Sequence, residues 1–315
     1  MSNESKTQAD VAVPPIAPVL RTSGLTKRYG KARGIEGLDL EVAQGEIFGF
    51  LGPNGSGKTT TIRLLLDLLH PTRGRAELFG LDSGRDSLAI RRRLGYLPGD
   101  VALYEDMTAK ELLDLVARIR SVDCEKNQRS LAERLGMDLR ARIRACSKGT
   151  KQKIAIIQAL MHDPELLILD EPTLGLDPLV QREFYQILLE QKAAGRTVFL
   201  SSHILTEVER VCDRVGIIRE GRLVDVEHVS DLKRKKVRKM ELVLARSVTD
   251  ADVAQLKMEG VELVGRHGNR MELAVHGNIE RLLSILSAMP VEDLVFPEAT
   301  LEDTFMEFYG DRRKH

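Results

Sequence analysis

The run Gly52-Pro53-Asn54-Gly55-Ser56-Gly57-Lys58-Thr59 constrains this chain more than any other feature. It fits the pattern GxxxxGK[ST], a loop whose backbone N–H groups wrap phosphate oxygens. Its flanks suit that use. The apolar run Ile47-Phe48-Gly49-Phe50-Leu51 before it is short and free of charge, as expected of a parallel strand buried on both faces. Behind it Ile62, Leu65, Leu66 and Leu69 predict a helix from about 58 to 69, punctuated by Pro71 and Gly74. A helix N-terminus favours negative charge where the glycines already free N–H groups. In such a loop Lys58 reaches the β- and γ-phosphates and the Thr59 hydroxyl ligates Mg2+. Residues Gly52 to Thr60 then form the phosphate site.

A second element is Leu166-Leu167-Ile168-Leu169 followed by Asp170-Glu171. Strand alternation turns two adjacent carboxylates in different directions. Asp170 can then approach the metal through a water, while Glu171 is left to polarise an attacking water. A third apolar strand, Thr197 to Leu200, ends in Ser201-Ser202-His203. Strands are also expected near 19–25 and 37–42, mostly helix from about 107 to 162, and helices near 179–194 and 204–212. A hairpin over 215–226 turns at Glu220-Gly221. Alternation of this kind predicts an α/β fold with a mainly parallel sheet covered by helices.

Asp170-Glu171-Pro172-Thr173-Leu174-Gly175-Leu176-Asp177 resembles the Walker B and D-loop segment of ABC ATPases. Cys146-Ser147-Lys148-Gly149-Thr150 stands where that family has its LSGGQ signature, and His203 where it has its switch histidine. Tyr29 matches the aromatic residue that stacks on adenine. The motifs occur in the family's order between Val19 and Glu227. The resemblance implies a P-loop ABC ATPase core over 19–229, with a helical subdomain at about 100–163. It implies ATP and Mg2+, with Glu171, His203 and Lys58 as catalytic residues and Thr59 and Asp170 on the metal. It also implies a second ATPase subunit, whose Ser147, Lys148, Gly149 and Thr150 close over the γ-phosphate, with Asp177 in the D-loop between. Lys58, Glu171 and His203 are all present, which favours a homodimer.

Two departures from the pattern stand out. The signature opens with Cys146 rather than Leu and has Lys148 and Thr150 for Gly and Gln. In Gly95-Tyr96-Leu97-Pro98-Gly99-Asp100, Gly99 occupies the position of a glutamine that approaches Mg2+ and senses the membrane partner. Two readings stay open: a tight Pro-Gly-Asp turn with no ligand, or Asp100 serving as the metal ligand instead.

With 315 residues, two domains are expected, at ~150 residues each. Lys plus Arg and Asp plus Glu both number 47, and this zero balance argues against nucleic acid as the main partner. Cys124, Cys146 and Cys212 have neither metal-ligand nor disulfide-framework spacing, which suits a reducing compartment. No apolar run approaches the ~20 residues that cross a bilayer, and residues 1–18 read as a disordered lead. Past Lys233-Arg234-Lys235-Lys236 the order strand, helix, strand, strand, helix, strand predicts a small ferredoxin-like βαββαβ domain over 230–315, closed by a helix at 301–309. The segment Leu103 to Thr108 and the ending Pro297 to Tyr309 resemble bacterial exporter ATPases whose permease is a separate chain of the ABC-2 type. That resemblance implies a peripheral subunit on the cytoplasmic face of the membrane, docked near Tyr104 and exporting a drug, antibiotic, lipid or ion. The alternative is a non-transport ABC ATPase of assembly, repair or translation.

Overall fold

The computed structural model describes residues 18–30, 32–234, 238–275 and 279–297. The helix expected at 301–309 lies outside the described residues, as does the lead up to residue 17. The chain runs β1 (Leu20–Tyr29), β2 (Ala32–Val42), β3 (Ile47–Leu51), α1 (Lys58–Leu65), β4 (Arg73–Leu78), β5 (Leu81–Asp82), α2 (Ser87–Arg93) and β6 (Leu94–Leu97). The helical stretch follows as α3 (Ala109–Arg120), α4 (Glu125–Arg134) and α5 (Lys148–Leu160). Then come β7 (Leu166–Asp170), α6 (Pro178–Ala193), β8 (Thr197–Ser202), α7 (Leu205–Val211), β9 (Arg214–Arg219), β10 (Arg222–His228) and α8 (Val229–Arg234).

The central sheet has the order β10-β9-β3-β8-β7-β6, parallel throughout except for the β9–β10 hairpin. Of its four inner strands, β3, β7 and β8 are buried at every residue. Their alternation still sorts side chains between two cores. Ile47, Leu51, Leu167, Leu169, Val198 and Leu200 face the core shared with α5, α6 and the helical subdomain. Phe48, Phe50, Ile168 and Phe199 face the other, shared with α1 and the antiparallel sheet β2-β1-β4-β5. There Phe48 stacks on Phe199 with centroids 5.9 Å apart. Each such side chain contributes ~1.5–3 kcal/mol by leaving water, so strands with no polar face are held in register from both sides.

Some bounds differ from expectation. Helix α1 stops at Leu65 rather than near 69, because Asp67 turns left-handed at φ 54 and the N–H groups of Leu66, Leu68 and Leu69 bond back into the last turn. Leu232, beyond the expected boundary at 229, is 3% exposed and belongs to the core of the parallel sheet. A cut at 229 would therefore remove a core side chain.

The remaining elements are β11 (Arg238–Leu244), α9 (Asp250–Leu256), β12 (Val261–His267), β13 (Arg270–Val275), α10 (Ile279–Leu286) and β14 (Val291–Val295). They form a wholly antiparallel sheet of order β12-β13-β11-β14, the ferredoxin-like arrangement expected from the pattern. Met240, Leu242 and Leu244 build its own core with Leu282 and Leu286 of α10. Helix α9 begins in a capping box, with Thr249 and Asp252 exchanging side-chain and backbone bonds. Arg246 adds a bidentate pair to Asp252 at 2.6 and 2.8 Å. The Arg246 guanidinium, then the Thr249 hydroxyl and N–H, hold the Asp252 carboxyl well below the usual carboxylate range. A lowered folded value means stabilisation that is complete above the unfolded value of ~3.9 and is lost as pH falls below it. Hydrogen-exchange protection of the β11 and β13 amides is therefore expected to drop progressively as pH falls below about 4. Asp252→Asn should lower it at pH 7 and flatten that pH dependence.

Candidate functional site

The phosphate-loop residues lie where β3 ends and α1 begins. Gly55 and Gly57 adopt φ of 78° and 111°, a region that L side chains avoid. Gly57 is the N-cap of α1 and no side chain caps that end, so the first-turn N–H groups remain available to an anion. Ser56 Oγ is buried and has no hydrogen-bond partner. A buried hydroxyl without a partner costs roughly 1–3 kcal/mol, which a bound polar ligand would remove. Pro53 and Asn54 are exposed, and Thr59 and Thr60 half-buried. Lys58 is only 6% exposed. Its ammonium donates to the carbonyls of Gly52 at 2.7 Å and Pro53 at 3.2 Å, and lies 3.2 Å from Glu171 Oε1.

The two carboxylates at the end of β7 part company, but not by strand alternation as expected. Asp170 still belongs to the strand. Its Oδ2 accepts from the Thr59 hydroxyl at 2.8 Å and its Oδ1 from Ser201 Oγ at 2.5 Å. Glu171 leaves the strand in a left-handed conformation, φ 48, at a cost of order 1–3 kcal/mol for a residue other than glycine. Its N–H is held by the Ser201 carbonyl at 3.2 Å. The turn aims its carboxylate between Lys58 and His203, whose Nδ1 lies 2.7 Å from Oε2. Lys58, Glu171 and His203 thus form one continuous chain of contacts beside the phosphate loop. Backbone strain at a residue so placed is characteristic of functional sites.

Tyr29 ends β1 with its ring 44% exposed. It belongs to the hairpin whose Ile35 abuts Gly57, where a Cβ would lie 2.7 Å from Ile35 Cγ2. Gly99 lies directly against Asp170: a Cβ there would be 3.2 Å from Oδ2. Asp100 is exposed and makes no hydrogen bond or ion pair with another described residue.

Ser147 is the N-cap of α5, its Oγ accepting from the Thr150 N–H at 3.2 Å and sharing a hydrogen bond with the Thr150 hydroxyl. Lys148 is exposed. Gly149 carries the main chain of the Walker B loop against it, since a Cβ would lie 2.5 Å from the Gly175 carbonyl. Asp177 caps α6 through the N–H groups of Leu179 and Val180, and those bonds, the Val180 one above all, lower its carboxyl below the ordinary aspartate range. No hydrogen bond or ion pair among the described residues joins Ser147, Lys148, Gly149 or Thr150 to Lys58, Glu171 or His203. The chain therefore bonds one group of site residues together, while the other meets the Walker B loop through packing of Gly149 on the Gly175 carbonyl.

Sequence reasoning missed the role of Ser201, which holds both Asp170 and Glu171. It was visible only as one residue of Ser201-Ser202-His203. The register Asp170↔Ser201 between parallel strands is what makes it a partner.

The sequence model described as ABC transporter matches residues 35–174. A bacitracin transport ATP-binding protein of Bacillus licheniformis is 34% identical over 307 residues, covering 94% of this chain and 98% of its own. The chain belongs to the ABC transporter family. It is an ATP-hydrolysing, ATP-binding subunit of that family. A daunorubicin resistance ATP-binding protein of Streptomyces coeruleorubidus is 32% identical, over 94% of this chain and 97% of its own length. Among solved structures, an ATP-binding subunit of an ABC transporter superposes with TM-score 0.65 at 33% identity, over 69% of this chain and 92% of that one. A dimeric cassette in a post-hydrolysis state with ADP and phosphate gives 0.62 at 21% identity, over 67% and 98%, and shares the fold.

The packing of this cassette's signature makes one prediction independent of activity. Gly149→Ala forces a methyl into the Gly175 carbonyl, and overpacking of this kind costs typically ~1–3 kcal/mol. Thermal unfolding should fall by roughly 2–4 °C per kcal/mol for a unit of this size.

Proposed function

We propose that Gly52 to Thr60 bind the phosphates of ATP, that Glu171 activates the attacking water and that His203 holds it in line. The observation that carries this reading is the contact chain Lys58–Glu171–His203 beside a loop with an uncapped helix end and an orphaned Ser56 hydroxyl. Lys58 now neutralises Glu171. Incoming phosphate competes for that ammonium, leaving Glu171 free to accept a proton only once ATP is in place. Tyr29 offers an exposed ring at the rim for the adenine. Thr59 Oγ1 and Asp170 Oδ2, two hard oxygen donors 2.8 Å apart at the phosphate loop, suit Mg2+. When bound, that ion neutralises charge on the β- and γ-phosphate oxygens. Gly99 brings no side chain to it, and Asp100 is the free carboxylate nearest in sequence.

The signature residues act on a second copy's ATP: Ser147 and the Gly149 N–H stand at the start of the 13-residue helix α5, with no hydrogen bond or ion pair to Lys58, Glu171 or His203 among the described residues. One chain carries every part, so a homodimer has two complete sites. Residues 19–234 form the ATPase unit, and those beyond about 238 an accessory domain.

The cassette powers a separate permease and exports a drug or antibiotic, on the strength of relatives named for bacitracin transport, daunorubicin resistance and linearmycin resistance. No helix among the described residues is long and apolar enough to cross a membrane; in this reading the permease supplies the translocation path. The docking face is the cavity of about 270 Å³ lined by Leu66, Leu68, Leu94, Tyr96 and Val116, together with Tyr104, which is 67% exposed. Attachment there holds the subunit at the cytoplasmic side of the membrane.

Glu171→Gln should bind ATP with unchanged affinity and hydrolyse it at least ~100-fold more slowly, the scale of a lost general base. Near-normal turnover would remove Glu171 from the mechanism. Purified from its own membranes in mild detergent, the protein should bring down a polytopic membrane protein in near-equal amount. Recovery of soluble partners alone would overturn the transport reading and leave the ATPase intact.

A further inference from the structure

We propose that Glu207 is a positioning residue for ATP hydrolysis, its buried carboxylate clamping the loop that carries Glu171 to the loop that carries His203. The proposal rests on the site reading above.

Glu207 lies in the first turn of α7 and is 5% exposed. Burying an acid without partners is costly, and its partners here are informative. Oε1 accepts from the Thr173 hydroxyl and Oε2 from Ser202 Oγ at 2.6 Å. Burial, and after it the Glu207 charge, raises the neighbouring Tyr185 phenol of α6 above its ordinary range. Thr173 follows Glu171 by two positions, and Ser202 immediately precedes His203. Each oxygen thus grips a different catalytic loop.

Both gripped residues are fixed further by their main chains. The Thr173 carbonyl accepts from Leu176 N at 3.0 Å, and the carbonyl of neighbouring Pro172 accepts from the buried Gln152 side chain of α5 at 2.9 Å. The Ser202 carbonyl accepts from Gly52 N at 3.2 Å, and its hydroxyl accepts from Ile204 N at 2.9 Å. The clamp therefore joins the signature helix, the turn after Glu171, the strand end before His203 and the first residue of the phosphate loop. The distance it governs is the 2.7 Å contact between Glu171 and His203.

The carboxylate form explains the residue type. An ionised glutamate only accepts, so both hydroxyls donate inward at once. A glutamine can accept through one oxygen but must donate through its nitrogen, so one hydroxyl has to reverse. That change is small for folding and large for a reaction in which misplacement of about 1 Å costs ~100-fold.

Glu207→Gln is expected to lower kcat about 10-fold, a fraction of that limit, while the ATP dissociation constant stays within about 2-fold and thermal unfolding barely moves. The decisive measurement repeats it in a His203→Ala background. A residue that acts through His203 has nothing further to lose there, so the double variant should turn over no more slowly than His203→Ala alone. Ser202→Ala cuts one arm and leaves Glu207 in place; it should give part of the same loss, again only when His203 is present. Three results would overturn the clamp: wild-type kcat in Glu207→Gln, an equal loss in both backgrounds, or loss of ATP binding together with melting temperature. Glu171→Gln run alongside separates the two levels. If it hydrolyses ATP normally, the site reading fails. If it is inactive and Glu207→Gln is normal, only the clamp fails.

Discussion

A single buried carboxylate organises this molecule. Asp170 is 1% exposed, and a charge so placed is tolerated only when its oxygens are bonded. Thr59 supplies one bond from α1 and Ser201 the other from β8, while the main chain at Gly99 closes over the remaining side. Bonds to a charged group are worth ~1.5–3 kcal/mol each. The phosphate loop, the Walker B strand and the switch strand are thus fixed to one another through one side chain. Burial, with the Asp170 charge second, also raises the nearby Tyr96 phenol above its ordinary range, so the field of that carboxylate extends to β6.

From that anchor the reactive chain extends outward into less buried ground. Glu171 steps out of the strand, and Lys58 and His203 meet its two oxygens. A base paired with an ammonium is poorly suited to accept a proton. On the proposed reading, phosphate binding exchanges the partner of Lys58, so that nucleotide comes first and an available base second. The Glu207 network is the inner counterpart of this chain, holding the backbone that presents Glu171 and His203.

Gly99 and Gly149 are two faces of the same economy of space. A Cβ at Gly149 would lie 2.5 Å from the Gly175 carbonyl, which leaves no room for a side chain, and one at Gly99 would lie 3.2 Å from the Asp170 carboxylate, which would then have to give by a few tenths of an ångström. A glutamine at 99 could not lie in this path without moving Asp170 or the loop. The departure from the family pattern is therefore matched to its close surroundings.

Much was legible in the sequence because it depends on neighbours along the chain. The glycine spacing of 52–59, the charge-free strands before it and before Asp170, and the strand and helix order of 238–297 are local patterns, and the structure follows them. The exchange partners were not legible. Ser201 meets Asp170 only because β7 and β8 pair in one parallel register, and Glu207 reaches Thr173 across a separation of 34 positions. The left-handed turn at Glu171 was also hidden, since nothing in Asp-Glu-Pro announces it. The sequence by itself determined which chemical groups the chain possesses and which segments carry them. The tertiary structure alone decided which groups share a proton or a charge, because hydrogen bonds act over about 3 Å and only the packed sheet brings distant strands that close.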